Sequence, residues 1–160
     1  DLMDRLVLVP IELVHFGLYG IIAAIALYFL AGPVAALAAI TAVLAGTVLF
    51  TALLPVLPSR DFSLKGFALG AIVAIPFAGV FARSPGRSGI TQVIAVLVPF
   101  LTIPPVVAYL ALNFTGSTTF TSRTGVKKEI FRYVPAMVVL AGLGTILGIA
   151  LGILRLAGVA

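Results

Sequence analysis

The sequence predicts an all-α integral membrane protein, a bundle of five transmembrane helices with a short amphipathic interfacial helix before the last span. Three observations predict it. Of the 160 residues, 62% are hydrophobic and only 9% are charged, against about 25% charged in a soluble domain. The apolar residues fall into runs long enough to cross a hydrocarbon core, which takes roughly 20 residues each. The charges that remain sit between those runs, where they read as topology signals at the membrane surface.

Residues 1–14 mix charges with apolar side chains and read as a juxtamembrane segment leading into the first span, with Pro10 near a helix start or kink. The first span is expected over about residues 15–30. Ala31-Gly32-Pro33 then makes a tight turn, since Gly ends one helix and Pro opens the next. The second span runs over about 34–57 and is broken late by Pro55; a loop from Pro58 to Lys65 follows. The third span, about 66–82, is short and holds Pro76; a loop from Arg83 to Gly89 follows. The fourth, about 90–112, holds Pro99, Pro104 and Pro105, and the fifth runs over about 135–154. The whole is read as a single domain.

Between the fourth and fifth spans lies the polar stretch Asn113–Val134. It concentrates Thr115, Ser117, Thr118, Thr119, Thr121, Ser122 and Thr124, with Gly116 among them. Hydroxyls both donate and accept, so they suit the amide or phosphate groups of a ligand. From Gly125 to Val134 the pattern is an amphipathic helix, Thr124 serving as N-cap. Lys127, Lys128 and Arg132 form its basic flank, a face for anionic head groups or an acidic partner.

Orientation follows from the cations. With the N-terminus inside, the inner segments hold Arg5, Arg60, Lys65, Arg123, Lys127, Lys128 and Arg132, and the outer ones Arg83, Arg87 and Arg155. The excess favours N-terminus inside and C-terminus outside. The chain opens on Asp1 without a signal peptide, and it reads as part of something longer.

No residue pattern marks a catalytic centre. There is no cysteine, hence no thiolate ligand or thiol nucleophile. Glu12 and His15 share a helix face at i, i+3 and stay on a watch list, because polar residues near spans are functional candidates. A di-metal carboxylate site needs a second such pair, and the chain has no second His, so no metal site is expected. No basic patch alternates with stacking aromatics, which argues against nucleic acid. No span carries a deep charge, which weakens an ion-coupled transporter. Gly144, Gly148 and Gly152 line one helix face; close packing within the bundle is favoured over a homodimer contact.

Three stretches carry a family resemblance: DRLVLVPIELV (4–14), AGTVLFTALLPVLPSRDFSLKGFALG (45–70) and ALNFTGSTTFTSRTGVKKEI (111–130). Together they resemble the C-terminal membrane domain of HgcA, the corrinoid protein of microbial mercury methylation, and the Asn-Phe-Thr-Gly-Ser-Thr run is the most telling. The resemblance implies a parent protein in the cytoplasmic membrane. Its preceding cytoplasmic domain binds a cobalamin-type corrinoid, with a cysteine as lower cobalt ligand, and passes a methyl group to mercuric ion. It also implies a ferredoxin-like partner with iron–sulfur clusters. No catalytic residue carries over, since this sequence has no cysteine, so the chain alone would be an anchor and docking domain. Asn113, Thr115, Gly116, Ser117, Thr118, Thr119 and Thr121 are the expected contact residues toward corrinoid or partner. The alternatives are a small transporter or permease subunit, a plain membrane scaffold, and the membrane domain of a corrinoid methyl carrier of acetyl-CoA-type carbon metabolism.

Overall fold

The computed structural model describes residues 9–54, 61–87, 89–116 and 123–158; at 9, 11, 12, 114–116 and 123–126 the description is of backbone alone. Every regular element among them is helical. Helix α1 covers Val9–Ala31. Helix α2 covers Pro33–Leu53, with a π-helical turn at Ala45–Leu49. Helices α3, α4 and α5 cover Phe62–Ala82, Gly89–Gly116 and Arg123–Leu156. All five are long and apolar enough to cross a membrane, which points to a multi-pass membrane protein.

Small residues set the helix register. Gly20 in α1 lies against Val43 in α2, the two related by the turn at Gly32, whose φ of 96° is a left-handed conformation open to glycine. Gly66 and Gly70 lie on the backbone of α4: a Cβ there would come within 2.7 Å of Ala108 Cα and 2.5 Å of Pro104 Cα. Gly46 faces Leu110, Gly144 faces Leu101 and Thr102, and Gly152 faces Leu30. These pairs make neighbouring helices antiparallel and bring α5 back beside α1. Gly144 and Gly152 of α5 therefore serve packing within the bundle, while Gly142 faces open space. Close backbone approach is how apolar helices gain contact when lipid competes for their side chains.

The core gathers Ala42, Ala45, Phe50, Leu69, Ala74, Phe77, Ile103, Val107 and Ala111 from α2, α3 and α4. Large apolar side chains face outward instead, among them Val14, Phe29, Ile72, Ile90 and Val139. Two buried hydroxyls are satisfied within their own helix: Thr47 Oγ1 donates to Val43 O at 2.7 Å and Thr51 Oγ1 to Thr47 O at 2.6 Å.

Four expectations are corrected. The segment after the polar stretch is not a separate interfacial helix: Arg123–Leu156 is one helix of 34 residues, with Pro135 inside it. It rises about 51 Å, well beyond a hydrocarbon core of about 30 Å. Glu129 and Tyr133, in its first turns, are held by α3 rather than resting on a surface. The third span is longer than expected, because Phe62, Ser63, Leu64 and Lys65 are helix and not loop. Residues 9–14 are already helix, so they belong to the first helix and not to a separate entry segment, with Pro10 inside it. The second helix ends at Leu53, and Pro55 lies outside the described residues.

Candidate functional site at the polar end of the bundle

One end of the bundle brings together the end of α2, the start of α3, the end of α4 and the start of α5. Its central feature is a carboxylate from one helix closing the N-terminus of another. The first amide groups of any helix lack intrahelical partners and carry partial positive charge. In α3 the residue at the capping position is Asp61, whose side chain makes no capping bond. Glu129 of α5 supplies the cap. Phe62 N donates to its Oε1 at 3.2 Å, and Ser63 N to its Oε2 at 3.0 Å. Ser63 Oγ adds a bond to Oε2 at 2.9 Å.

The Asp61 carboxylate is turned to α5, where Tyr133 Oη donates to its Oδ2 at 2.6 Å. Glu129 and Tyr133 are one turn apart, so a single face of α5 grips both Asp61 and the two residues after it. Arg132 is exposed, its guanidinium carbon 5.5 Å from the Tyr133 ring centre. Lys65 Nζ donates to Leu54 O at 3.1 Å, satisfying a carbonyl at the end of α2. Its ammonium stands 5.8 Å from the Phe62 ring. Thus α2, α3 and α5 are locked together where their connections leave the bundle.

The candidate residues from the sequence fall unevenly on this frame. Asn113 is half-buried near the end of α4, where its Nδ2 donates to Tyr109 O at 2.9 Å. Thr115 and Gly116 continue α4 by one more turn of backbone, while Ser117, Thr118, Thr119 and Thr121 lie outside the described residues. Lys127 and Lys128 are exposed on α5. His15 is exposed on α1, edge-on to Phe16 and Tyr19 with ring centres 5.2 and 5.6 Å away. The side chain of Glu12 lies outside the described residues, and with it the expected pairing to His15.

Sequence reasoning missed Ser63, Asp61, Glu129 and Tyr133 as a group. An available signal was Asp61 directly before an apolar run, a capping pattern that starts α3 at Phe62. Chemically the group binds helices rather than substrates. Ser63 is 1% exposed, and both Glu129 oxygens hold backbone amides, so the pair has no room to act as nucleophile and base. Among the described residues, no three His, Asp or Glu side chains gather as metal ligands.

A second feature lies toward the opposite end. A cavity of about 530 Å³ opens between α1, α2, α4 and α5. Alanines and glycines form much of its wall, with Val98, Pro99 and Ile103 from α4. Its two threonines, Thr102 and Thr145, donate to Val98 O and Ala141 O at 2.8 and 2.7 Å, so their hydroxyls are spent on their own helices. The charges in its lining are Arg87 and Arg155. Gln92, nearby at the start of α4, donates through Nε2 to Phe81 O and Ala82 O at 2.9 and 2.5 Å, capping the end of α3.

In comparison with known proteins, no family model, no curated protein and no solved structure matches this chain.

Proposed function

We propose that this chain is the membrane anchor and docking domain of an HgcA-type corrinoid-dependent methyltransferase, which converts mercury(II) to methylmercury. In this reading the polar end faces the cytoplasm, the N-terminus is cytoplasmic and the C-terminus lies outside the inner membrane. The corrinoid and its cysteine belong to a domain preceding residue 1, and a ferredoxin-like iron–sulfur protein of HgcB type supplies electrons.

The single observation that carries the reading is the meeting of two family-like stretches. Phe62 and Ser63 belong to the stretch 45–70, Glu129 to the stretch 111–130, and hydrogen bonds join them at one end of the bundle. A tether needs no such joint. A platform does, because a docked domain must meet connections held in fixed positions.

The bundle itself does not fit a corrinoid. It has no cysteine, and its sole histidine, His15, stands outward beside Phe16 and Tyr19. No step of methyl transfer is therefore assigned to these residues. Nor does the geometry favour the transporter alternative. Pro104 and Pro105 are fully buried, Pro104 against Gly70, and the space beside Pro99 is apolar.

The test is mercury methylation by membranes holding the full-length protein and its iron–sulfur partner. The wild type is compared with a form whose membrane domain is replaced by an unrelated five-span anchor. Loss of methylmercury while the corrinoid domain still binds cobalamin supports a docking role. Unchanged activity reduces this domain to a tether.

A further inference from the structure

The cavity between α1, α2, α4 and α5 is not used by the polar end, and its shape and charge carry an inference independent of the methylation reading. We infer that it is a binding site for one anionic phospholipid, with an acyl chain in the apolar trench and the phosphate between Arg87 and Arg155.

Size and depth fit first. At about 530 Å³ the space falls within the range of ligand pockets, about 300–1,000 Å³. Along α1 its lining runs from Gly20 to Ala31, and along α5 from Gly144 to Arg155. Each of those stretches rises about 17 Å at 1.5 Å per residue. That is roughly half of a hydrocarbon core of about 30 Å, the depth of one leaflet.

The wall chemistry fits second. Small side chains hold the trench open: a Cβ on Gly148 would meet nothing nearer than Val98 Cγ1 at 3.5 Å. With the Thr102 and Thr145 hydroxyls bonded to their own helices, the trench offers a chain methyl and methylene surface. An apolar trench is a poor home for a water column, which needs two to four polar partners per molecule.

Charge fits third. Both cations of the lining stand at the end where α1 turns into α2. The Arg155 guanidinium lies against Gly32, where a Cβ would come within 2.6 Å of its Nη1. Arg87 lies over the Phe81 ring at 5.8 Å, and Phe81 itself lines the cavity. The chain's acidic residues are Asp1, Asp4, Glu12, Asp61 and Glu129. The described carboxylates, Asp61 and Glu129, are at the opposite end, bonded to Tyr133 and Ser63. Two guanidiniums beside an apolar trench, with no described carboxylate at that end, complement a phosphate joined to a hydrocarbon chain.

The test uses the full chain purified from membranes, stripped of lipid, and titrated with phosphatidylglycerol, phosphatidylcholine or inorganic phosphate, bound species being counted by native mass spectrometry. The expected result is one phosphatidylglycerol per chain, held at least about ten-fold more tightly than phosphatidylcholine. Phosphate alone should bind far more weakly, since it leaves the trench empty. The double variant Arg87→Gln, Arg155→Gln should lose that preference, since each basic residue near a surface contributes several-fold. Gly148→Leu, which fills the trench, should lose the lipid while keeping wild-type helicity. Equal retention of the two lipids by the wild type overturns the inference, and that comparison needs no variant to fold. So does tight binding of phosphate alone, or full lipid occupancy in Gly148→Leu.

Discussion

The carboxylate of Glu129 takes two hydrogen bonds from Ser63, one from its amide at 3.0 Å and one from its hydroxyl at 2.9 Å, across 66 positions of sequence. Removing that carboxylate leaves a buried hydroxyl and two helix-terminal amides without partners. Such a loss costs about 1–3 kcal/mol per buried group. Glu129→Ala is therefore expected to lower the thermal midpoint in detergent by several degrees. Lys128→Ala, the adjacent exposed change, should leave it in place.

Tyr133→Phe removes only the donor to Asp61 and leaves the Glu129 cap intact. A smaller drop in midpoint than for Glu129→Ala is expected. Combined in one chain, the two changes should fall short of the sum of the single effects, because one face of α5 carries both contacts. Strict additivity in that double-mutant cycle would show that the two bonds act separately.

Gly70→Ala drives a methyl toward Pro104 Cα, which a built Cβ would approach to 2.5 Å. Backbone cannot swing aside as a side chain can, so the α3–α4 pair must part. Overpacking of this kind costs about 1–3 kcal/mol. Gly142→Ala meets nothing within 4 Å and should be neutral or slightly stabilising through helix propensity. Thermal melts of the two variants side by side are the check; equal behaviour would mean that α3 and α4 do not pack as described.

Orientation is open to a clean labelling experiment, since the chain has no cysteine of its own. Lys128→Cys should react with an impermeant maleimide only from the cytoplasmic side, and Arg83→Cys only from outside. The reverse pattern would turn the bundle over and put the proposed platform on the wrong face.

For the polar stretch the expected outcome is functional rather than structural. Replacing Asn113, Thr115, Ser117, Thr118, Thr119 and Thr121 together with Ala should abolish most methylation by the full-length protein while leaving its thermal midpoint within a few degrees. Methylation at the wild-type rate would remove these residues from the site.

Much of the bundle was legible because lipid imposes a simple rule: a spanning helix must be apolar for about 20 residues. That rule finds five helices and the Gly32-Pro33 turn. It fails at helix ends, where polar side chains are satisfied by partners distant in sequence. Lys65 looked like a loop residue, yet its ammonium reaches Leu54 O, so α3 can begin at Phe62. The amphipathic pattern from Gly125 to Val134 predicts a separate surface helix. Instead Tyr133 and Glu129 bind α3, and α5 runs on through Pro135. The glycine spacing in α5 was readable as a packing stripe, but periodicity does not name the partner, here Leu101, Thr102 and Leu30. The cavity was not legible at all, since its wall is assembled from several helices distant in sequence.

The remote cap on α3 also has a place in time. A ribosome adds about 5–20 residues per second, so the 66 positions between Ser63 and Glu129 take on the order of 3–13 s to make. Through that interval the first amides of α3 are without the Glu129 carboxylate that caps them in the finished bundle. The joint that ties the start of α3 to α5 is therefore a late one, made only after the last helix of the bundle has been synthesised.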